Sequence, residues 1–65
     1  MYYEDYILPK CKHDAAKAYL QGRQAKFEIS EAGSDICCVS VYDATQKDIA
    51  AITFYLLTQC NAYTM

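Results

Sequence analysis

The alternation of apolar and polar side chains predicts a pair of neighbouring strands in the middle of the chain. Residues 24–30 and 36–42 each alternate with a period of two, which is the pattern of a half-buried strand. The segment between them has the composition of a turn, with Gly33 available for a positive φ. We therefore predict an antiparallel hairpin with one apolar face. The side chains expected on that face are Ala25, Phe27, Ile29, Cys37, Val39 and Val41.

A spacing of three to four residues between apolar positions predicts two helices. Residues 11–21 are rich in alanine, and Gly22 follows as the expected C-terminal residue with a positive φ. Residues 45–60 begin with Thr45 and Asp48, which have the spacing of a capping box. The apolar faces expected to pack on the hairpin comprise Cys11, Ala15, Ala16, Ala18, Tyr19 and Leu20 in the first helix and Ile49, Ala50, Ile52, Phe54, Leu56, Leu57 and Cys60 in the second.

The two ends of the chain follow a less regular pattern. Residues 2–8 carry aromatic and β-branched side chains that favour a short strand ending at Pro9, and an extended arm fits the same pattern. Residues 61–65 are expected to fray. The predicted fold class is therefore α+β: a small two-layer sandwich in the order β-α-β-β-α, or α-β-β-α, with the antiparallel hairpin covered on one face by two helices.

The chain length predicts a single domain that spans residues 1–65. A chain of this size leaves much of its surface accessible, so its seven tyrosines favour a homodimer or a larger protein partner. The N-terminus has no signal-peptide pattern, and no stretch has the apolar length of a membrane span. We therefore expect a cytoplasmic protein whose four cysteines are thiols.

The charge distribution weighs against nucleic-acid binding. The formal net charge is −2, whereas binding to phosphates requires a basic surface. Positive charge is nevertheless concentrated in the first 26 residues, near aromatic side chains. A nucleic-acid-associated regulator that uses the basic first helix is therefore kept as an alternative. The basic residues concerned are Lys10, Lys12, His13, Lys17, Arg23 and Lys26.

The cysteines and the single histidine lack the spacing of a known reactive site. Zinc sites use paired ligands with two to four residues between them, whereas Cys37 and Cys38 are adjacent in a strand and point to opposite faces. A thiol nucleophile needs a base within reach, and His13 belongs to no recognisable catalytic arrangement. We therefore expect no enzyme activity, no metal and no cofactor, with Cys37 and Cys60 in the core.

The tyrosines and the polar face of the hairpin form the candidate protein-binding surface. Tyrosine buries a large area at low entropic cost and is enriched in interfaces. Four tyrosines are hard to bury in so small a fold, and the hairpin face opposite the helices is expected to be open. The residues assigned to binding are Tyr2, Tyr3, Tyr6, Lys26, Glu28, Cys38, Ser40 and Tyr42.

In size, acidity and absence of motifs the chain resembles the small inhibitors encoded by phages and mobile elements, including anti-CRISPR and other anti-defence proteins. That resemblance implies a protein that acts stoichiometrically on a larger one. We therefore predict a non-enzymatic module that binds a larger protein or protein complex and inhibits or regulates it. Besides the nucleic-acid regulator, a self-assembling structural subunit is the remaining alternative.

Overall fold

The fold is an antiparallel sheet with two helices packed on one of its faces. The computed structural model describes residues 2–23 and 25–64. The chain runs through β1 (Tyr2–Pro9), a 3₁₀ turn (Lys10–Lys12), α1 (His13–Gln21), β2 (Lys26–Glu31), β3 (Ile36–Ala44), α2 (Gln46–Gln59) and β4 (Tyr63–Thr64). The predicted α+β class is confirmed, and the first segment is a strand and not an arm. Gln24, within the predicted strand 24–30, lies outside the described residues.

The strands lie in the order β2-β3-β1-β4, and each pairs antiparallel to its neighbour. Sequence order and sheet order together give the connectivity of the split β-α-β motif. The expectation that residues 61–65 fray is wrong for Tyr63 and Thr64, which pair with β1, while Met65 lies outside the described residues. Asn61 has a φ of 53°, and this left-handed residue turns the chain from the end of α2 towards β1.

The core lies between the sheet and the helices. Its buried hydrophobic residues are Tyr6, Leu8, Ala16, Leu20, Cys37, Val39, Val41, Ala44, Ile52, Leu56, Cys60 and Ala62. Phe27 and Ile29 of the hairpin are half-buried beside them. A polar contact crosses this layer: the Tyr6 hydroxyl lies 2.7 Å from Thr53 Oγ1. The polar group of this buried side chain therefore has a hydrogen-bond partner. The apolar hairpin face predicted from the alternation is confirmed.

The two helices are joined by an aromatic stack and an ion pair. The rings of Tyr19 and Tyr55 are stacked, with centroids 3.9 Å apart and planes inclined by 4°. Arg23 Nη2, just beyond α1, donates to Asp48 Oδ1 of α2 at 2.8 Å. Asp48 also supplies the backbone N–H that Thr45 Oγ1 accepts at 3.1 Å, so the predicted N-cap of α2 is confirmed. These contacts hold α1 and α2 side by side over the sheet.

Both helices bury a narrower stripe than the sequence pattern predicts. In α1, Ala16 and Leu20 are buried, and in α2, Ile52 and Leu56 are buried. Each helix rests on a small sheet from one side only, so apolar residues at the margins of its face stay accessible to solvent. The residues predicted to be in the core but found exposed are Cys11, Ala15, Ala18, Ala50, Phe54 and Leu57.

The two glycines do not adopt the positive φ that the sequence suggested. Gly22 ends α1 with a φ of −82°, and no glycine among the described residues has a positive φ. Glycine is favoured at position 33 because the side chain of Ile36 leaves little room for a Cβ atom, which would lie 3.1 Å from Cγ1 of Ile36. The left-handed positions are Asp43 and Asn61, two residue types that tolerate this region.

A β-bulge near the end of β3 changes which face its side chains occupy. The β1–β3 register shifts between Tyr2 and Glu4, so that Val41 pairs with Glu4 and Ala44 pairs with Tyr2. Three residues of β3 therefore span the distance of two in β1, and Asp43 takes a φ of 55° at this point. The extra residue lets both Val41 and Ala44 face the core despite their odd spacing.

Adjacent leucines of α2 provide a direct test of this core. Leu56 is fully buried and Leu57 is 40% exposed. Replacing Leu56 by Ala should lower the free energy of unfolding by about 2–5 kcal/mol, because it leaves a cavity in the core. Leu57→Ala should cost less than about 1 kcal/mol. Urea denaturation followed by circular dichroism measures both, and equal losses for the two variants would contradict the assigned helix face.

Candidate binding surface

The sheet has one face away from the helices, which we call the open face. Strand pairing and side-chain alternation assign to it Tyr3, Asp5, Ile7, Lys26, Glu28, Ser30, Ile36, Cys38, Ser40, Tyr42 and Tyr63. Tyr3 is 64% exposed and Tyr63 is 60% exposed. This face therefore combines aromatic, aliphatic and charged side chains on a continuous backbone support.

The register of the strands places the open-face residues in rows across the sheet. One row crosses from β4 to β2 and comprises Tyr63, Ile7, Cys38 and Ser30. The next row joins Asp5 to Ser40 and Ser40 to Glu28. Directly paired side chains lie about 5 Å apart. Because β1 is one of the two inner strands of the sheet, Asp5 and Ile7 lie near the middle of the open face.

A carboxylate at the centre of the open face is only half satisfied. The Tyr3 hydroxyl donates to Asp5 Oδ2 at 2.9 Å, and this hydrogen bond raises the pKa of Tyr3. The other oxygen, Asp5 Oδ1, is buried and has no hydrogen-bond partner in the described part of the chain. A buried acceptor without a donor is costly, and a donor from outside would reach this oxygen only if the side chains around it moved.

Most of the predicted binding residues meet on the open face. Those brought together there are Tyr3, Lys26, Glu28, Cys38, Ser40 and Tyr42. Tyr2 stands at the start of β1, 50% exposed and paired with Ala44. The assignment of Tyr6 to an exposed surface is wrong, because its ring is fully buried on the helix side of the sheet. Tyr6 alternates with Tyr3 and Asp5 across the strand and therefore shares its face with Leu8.

Five members of the open face were not among the predicted binding residues, namely Asp5, Ile7, Ser30, Ile36 and Tyr63. Asp5 and Ile7 alternate with the buried Tyr6 and Leu8 along β1, so the strand pattern already placed them on the opposite face. Tyr63 was missed because residues 61–65 were read as a frayed end. The signal that could have found it is Tyr63-Thr64, two residues with high β-propensity following a helix.

The cysteines and the histidine form no disulfide and no metal-binding group in the described residues. All four cysteines are thiols, and no group of His, Cys, Asp or Glu in residues 2–23 and 25–64 is placed to hold a metal ion. Burial raises the pKa of the Cys37 and Cys60 thiols, which disfavours the nucleophilic thiolate. Cys38 lies on the open face and is partly buried.

An open cleft of about 330 Å³ lies between the start of α1 and the hairpin. It is lined by Lys10, His13, Asp14, Ile29, Ser30, Glu31 and Cys37. Its charged groups largely pair with one another, since Lys10 Nζ lies 3.1 Å from Glu31 Oε1 and His13 Nδ1 lies 3.1 Å from Asp14 Oδ1. The cleft is therefore a weaker candidate for ligand binding than the open face.

Ion pairs reduce the basic character of the first half of the chain. Arg23 is paired with Asp48, and Lys26 Nζ lies 3.4 Å from Asp43 Oδ2. Together with the Lys10–Glu31 pair, these contacts neutralise three of the cations on which nucleic-acid binding would depend. In the part of the chain that the structure describes, neither helix has the length and apolar character needed to cross a bilayer.

The buried tyrosine and thiols predict a loss of stability at alkaline pH. Burial raises the pKa of Tyr6 above 10.0 and those of Cys37 and Cys60 above 9.0. These acids hold their protons more tightly in the folded state, so the unfolded chain loses its protons first as the pH rises. The melting temperature should be constant near neutral pH and fall progressively above pH 9, as measured by circular dichroism.

Tyr6→Phe tests the contribution of the buried hydroxyl. This variant loses the hydrogen bond to Thr53 and should lower the free energy of unfolding at neutral pH by about 1 kcal/mol. Its alkaline loss of stability should also be shallower than that of the wild type, because one titrating group is removed. Tyr63→Phe, at an exposed position, is the matched control and should change neither quantity. An unaltered alkaline profile for Tyr6→Phe would refute the role assigned to its hydroxyl.

Comparison of the chain with protein-family models, with curated proteins and with solved structures gives no match.

Proposed function

We propose that this protein is a non-enzymatic binding module that attaches to a larger protein through its open face and inhibits or regulates it. In general type it would correspond to the small phage-encoded anti-defence proteins, of which anti-CRISPR proteins are an example. The observation that carries the proposal is that the open face, on which no helix packs in the described residues, is rich in aromatic and aliphatic side chains.

The apolar character of the open face supports a protein partner. In an antiparallel sheet with one face in the core, the solvent-facing side normally carries polar residues. Here three tyrosines and two isoleucines occupy that side: Tyr3, Ile7, Ile36, Tyr42 and Tyr63. Contiguous exposed apolar side chains with polar neighbours are typical of protein interaction sites. The tyrosines could supply most of the contact area, since their rings are large and have few rotatable bonds.

The central carboxylate supports a partner that donates hydrogen bonds. Asp5 Oδ1 has no donor in the described residues, and a partner that displaces the neighbouring side chains would meet it in a low-dielectric interface, where such a bond is strong. Arg, Lys or amide groups of the partner would satisfy it. The aromatic rings would contribute affinity, and the carboxylate would contribute selectivity for a partner with a donor at this position.

Paired variants of the open face test this function. Tyr3→Ala and Tyr63→Ala should each weaken binding about tenfold or more, as expected where large aromatic side chains supply much of the contact area of an interface. Phe54→Ala, which removes a ring of similar exposure from α2, should leave binding unchanged. The measurement is affinity capture from a lysate of the source cells after nuclease treatment, followed by titration of the captured protein against each variant.

The outcomes separate the proposed function from its alternatives. Capture by the wild type and by Phe54→Ala, together with loss for the two tyrosine variants, would support binding through the open face. Equal affinity of all variants would refute it. Retention that disappears with nuclease and falls steeply with salt would favour the nucleic-acid-associated regulator instead.

A further inference from the structure

The edge of the sheet formed by β2 (Lys26–Glu31) is a second candidate interaction surface, which shares Lys26 and Glu28 with the open face. This strand pairs with β3 along one side and is the last strand at that end of the sheet among the described residues. It is six residues long and contains no proline, and its pairing with β3 shows no register shift. The features that commonly block pairing at an edge are therefore missing from β2, apart from its charges.

The charges of β2 alternate in sign along the open face. Lys26, Glu28 and Ser30 point to the open face, and Phe27 and Ile29 point towards the helices. A two-fold axis perpendicular to the sheet would pair two such edges antiparallel and keep each residue opposite one on the same face. Such a dimer extends the four-stranded sheet to eight strands, with all helices on one side.

We propose that two copies of this chain associate through β2, with Phe27 of one protomer opposite Phe27 of its partner. In this register Lys26 lies opposite Glu28 of the partner, and the symmetry makes this contact twice. Ala25, immediately before β2, lies opposite Ile29 of the partner. Opposite charges are thus paired on the open face and apolar side chains on the helix face, and both kinds of pairing favour the association of strands.

The neighbouring registers are less favourable. Moving the axis by one residue towards the end of β2 places Glu28 opposite Glu28 of the partner, so two carboxylates repel each other. Moving it by one further residue places Phe27 opposite Glu31 of the partner and leaves Lys26 beyond the end of the partner strand. The register centred on Phe27 is therefore the one that the side chains select.

Existing contacts do not prevent this pairing. The Lys26–Asp43 contact has a distance of 3.4 Å between its charged atoms, and the two side chains are 70% and 52% exposed. Exposed pairs of this kind contribute little to stability, so the Lys26 ammonium can turn towards Glu28 of the partner. Glu28 is exposed and free to approach it.

Charge exchange at the edge tests the proposal. Sedimentation velocity of the wild type from about 1 µM to about 1 mM should show a monomer–dimer equilibrium. Lys26→Glu and Glu28→Lys should each weaken dimerisation about tenfold, since each places two pairs of like charges together. The double variant K26E/E28K should dimerise like the wild type. A mixture of the two single variants should form a heterodimer, detected by native mass spectrometry.

Controls separate this interface from others. Lys47→Glu makes the same charge change on α2 and should leave dimerisation unaltered. Tyr3→Ala should also leave it unaltered, whereas loss of the dimer in that variant would move the contact to the open face and overturn the proposal. A wild type that stays monomeric throughout the concentration range, or a double variant as weak as the singles, would overturn it as well. Circular dichroism establishes that each variant is folded.

Discussion

The packing of two helices against a single face of the sheet is the interaction on which the rest of the structure depends. Ile52 and Leu56 of α2 cover the central strands, and Ala16 and Leu20 of α1 complete the layer. A chain of 65 residues has too few apolar side chains to build a second layer of this kind. The other face of the sheet is left uncovered as a direct result, and its side chains are available for binding.

The same constraint explains the contacts that join the layers. The sheet is small, so the helices are also held by contacts at the margins of the core, namely the Tyr19–Tyr55 stack and the Arg23–Asp48 pair. The Tyr6–Thr53 hydrogen bond connects β1 to α2 within the core. Each of these contacts uses a polar or aromatic side chain where a larger protein would bury aliphatic ones. Tyrosine therefore serves both the interior and the surface of this molecule.

The open face and the β2 edge share residues but present different chemistry. Lys26 and Glu28 lie at the border of both surfaces, and the face beyond them is dominated by aromatic rings and by Asp5. A dimer formed through the edge would place two open faces side by side on one continuous sheet. Such an arrangement would offer a larger target two equivalent binding surfaces, which raises the effective affinity when both are engaged.

Local pattern was sufficient to predict most of the elements. The alternation around Phe27 and Val39 indicated the hairpin and its core face, because side-chain direction in a strand depends only on residue parity. The Thr45 cap was predictable for a similar reason, since its hydrogen bond to Asp48 spans three residues. Where local pattern was interrupted, prediction failed: Asp43 reverses the parity of β3, and Asn61 redirects the chain into β4.

The sequence by itself determined the α+β class, the two helices, the hairpin and the polar composition of its outer side, since these follow from short-range periodicity. Only the tertiary structure decided that Phe54 and Leu57 are exposed, that Tyr6 is buried, and that Tyr63 joins Asp5 and Ile7 on the open face. These outcomes depend on how much of each helix a small sheet can cover and on which strand the chain end meets. Both are properties of contacts distant in sequence, which no local pattern encodes.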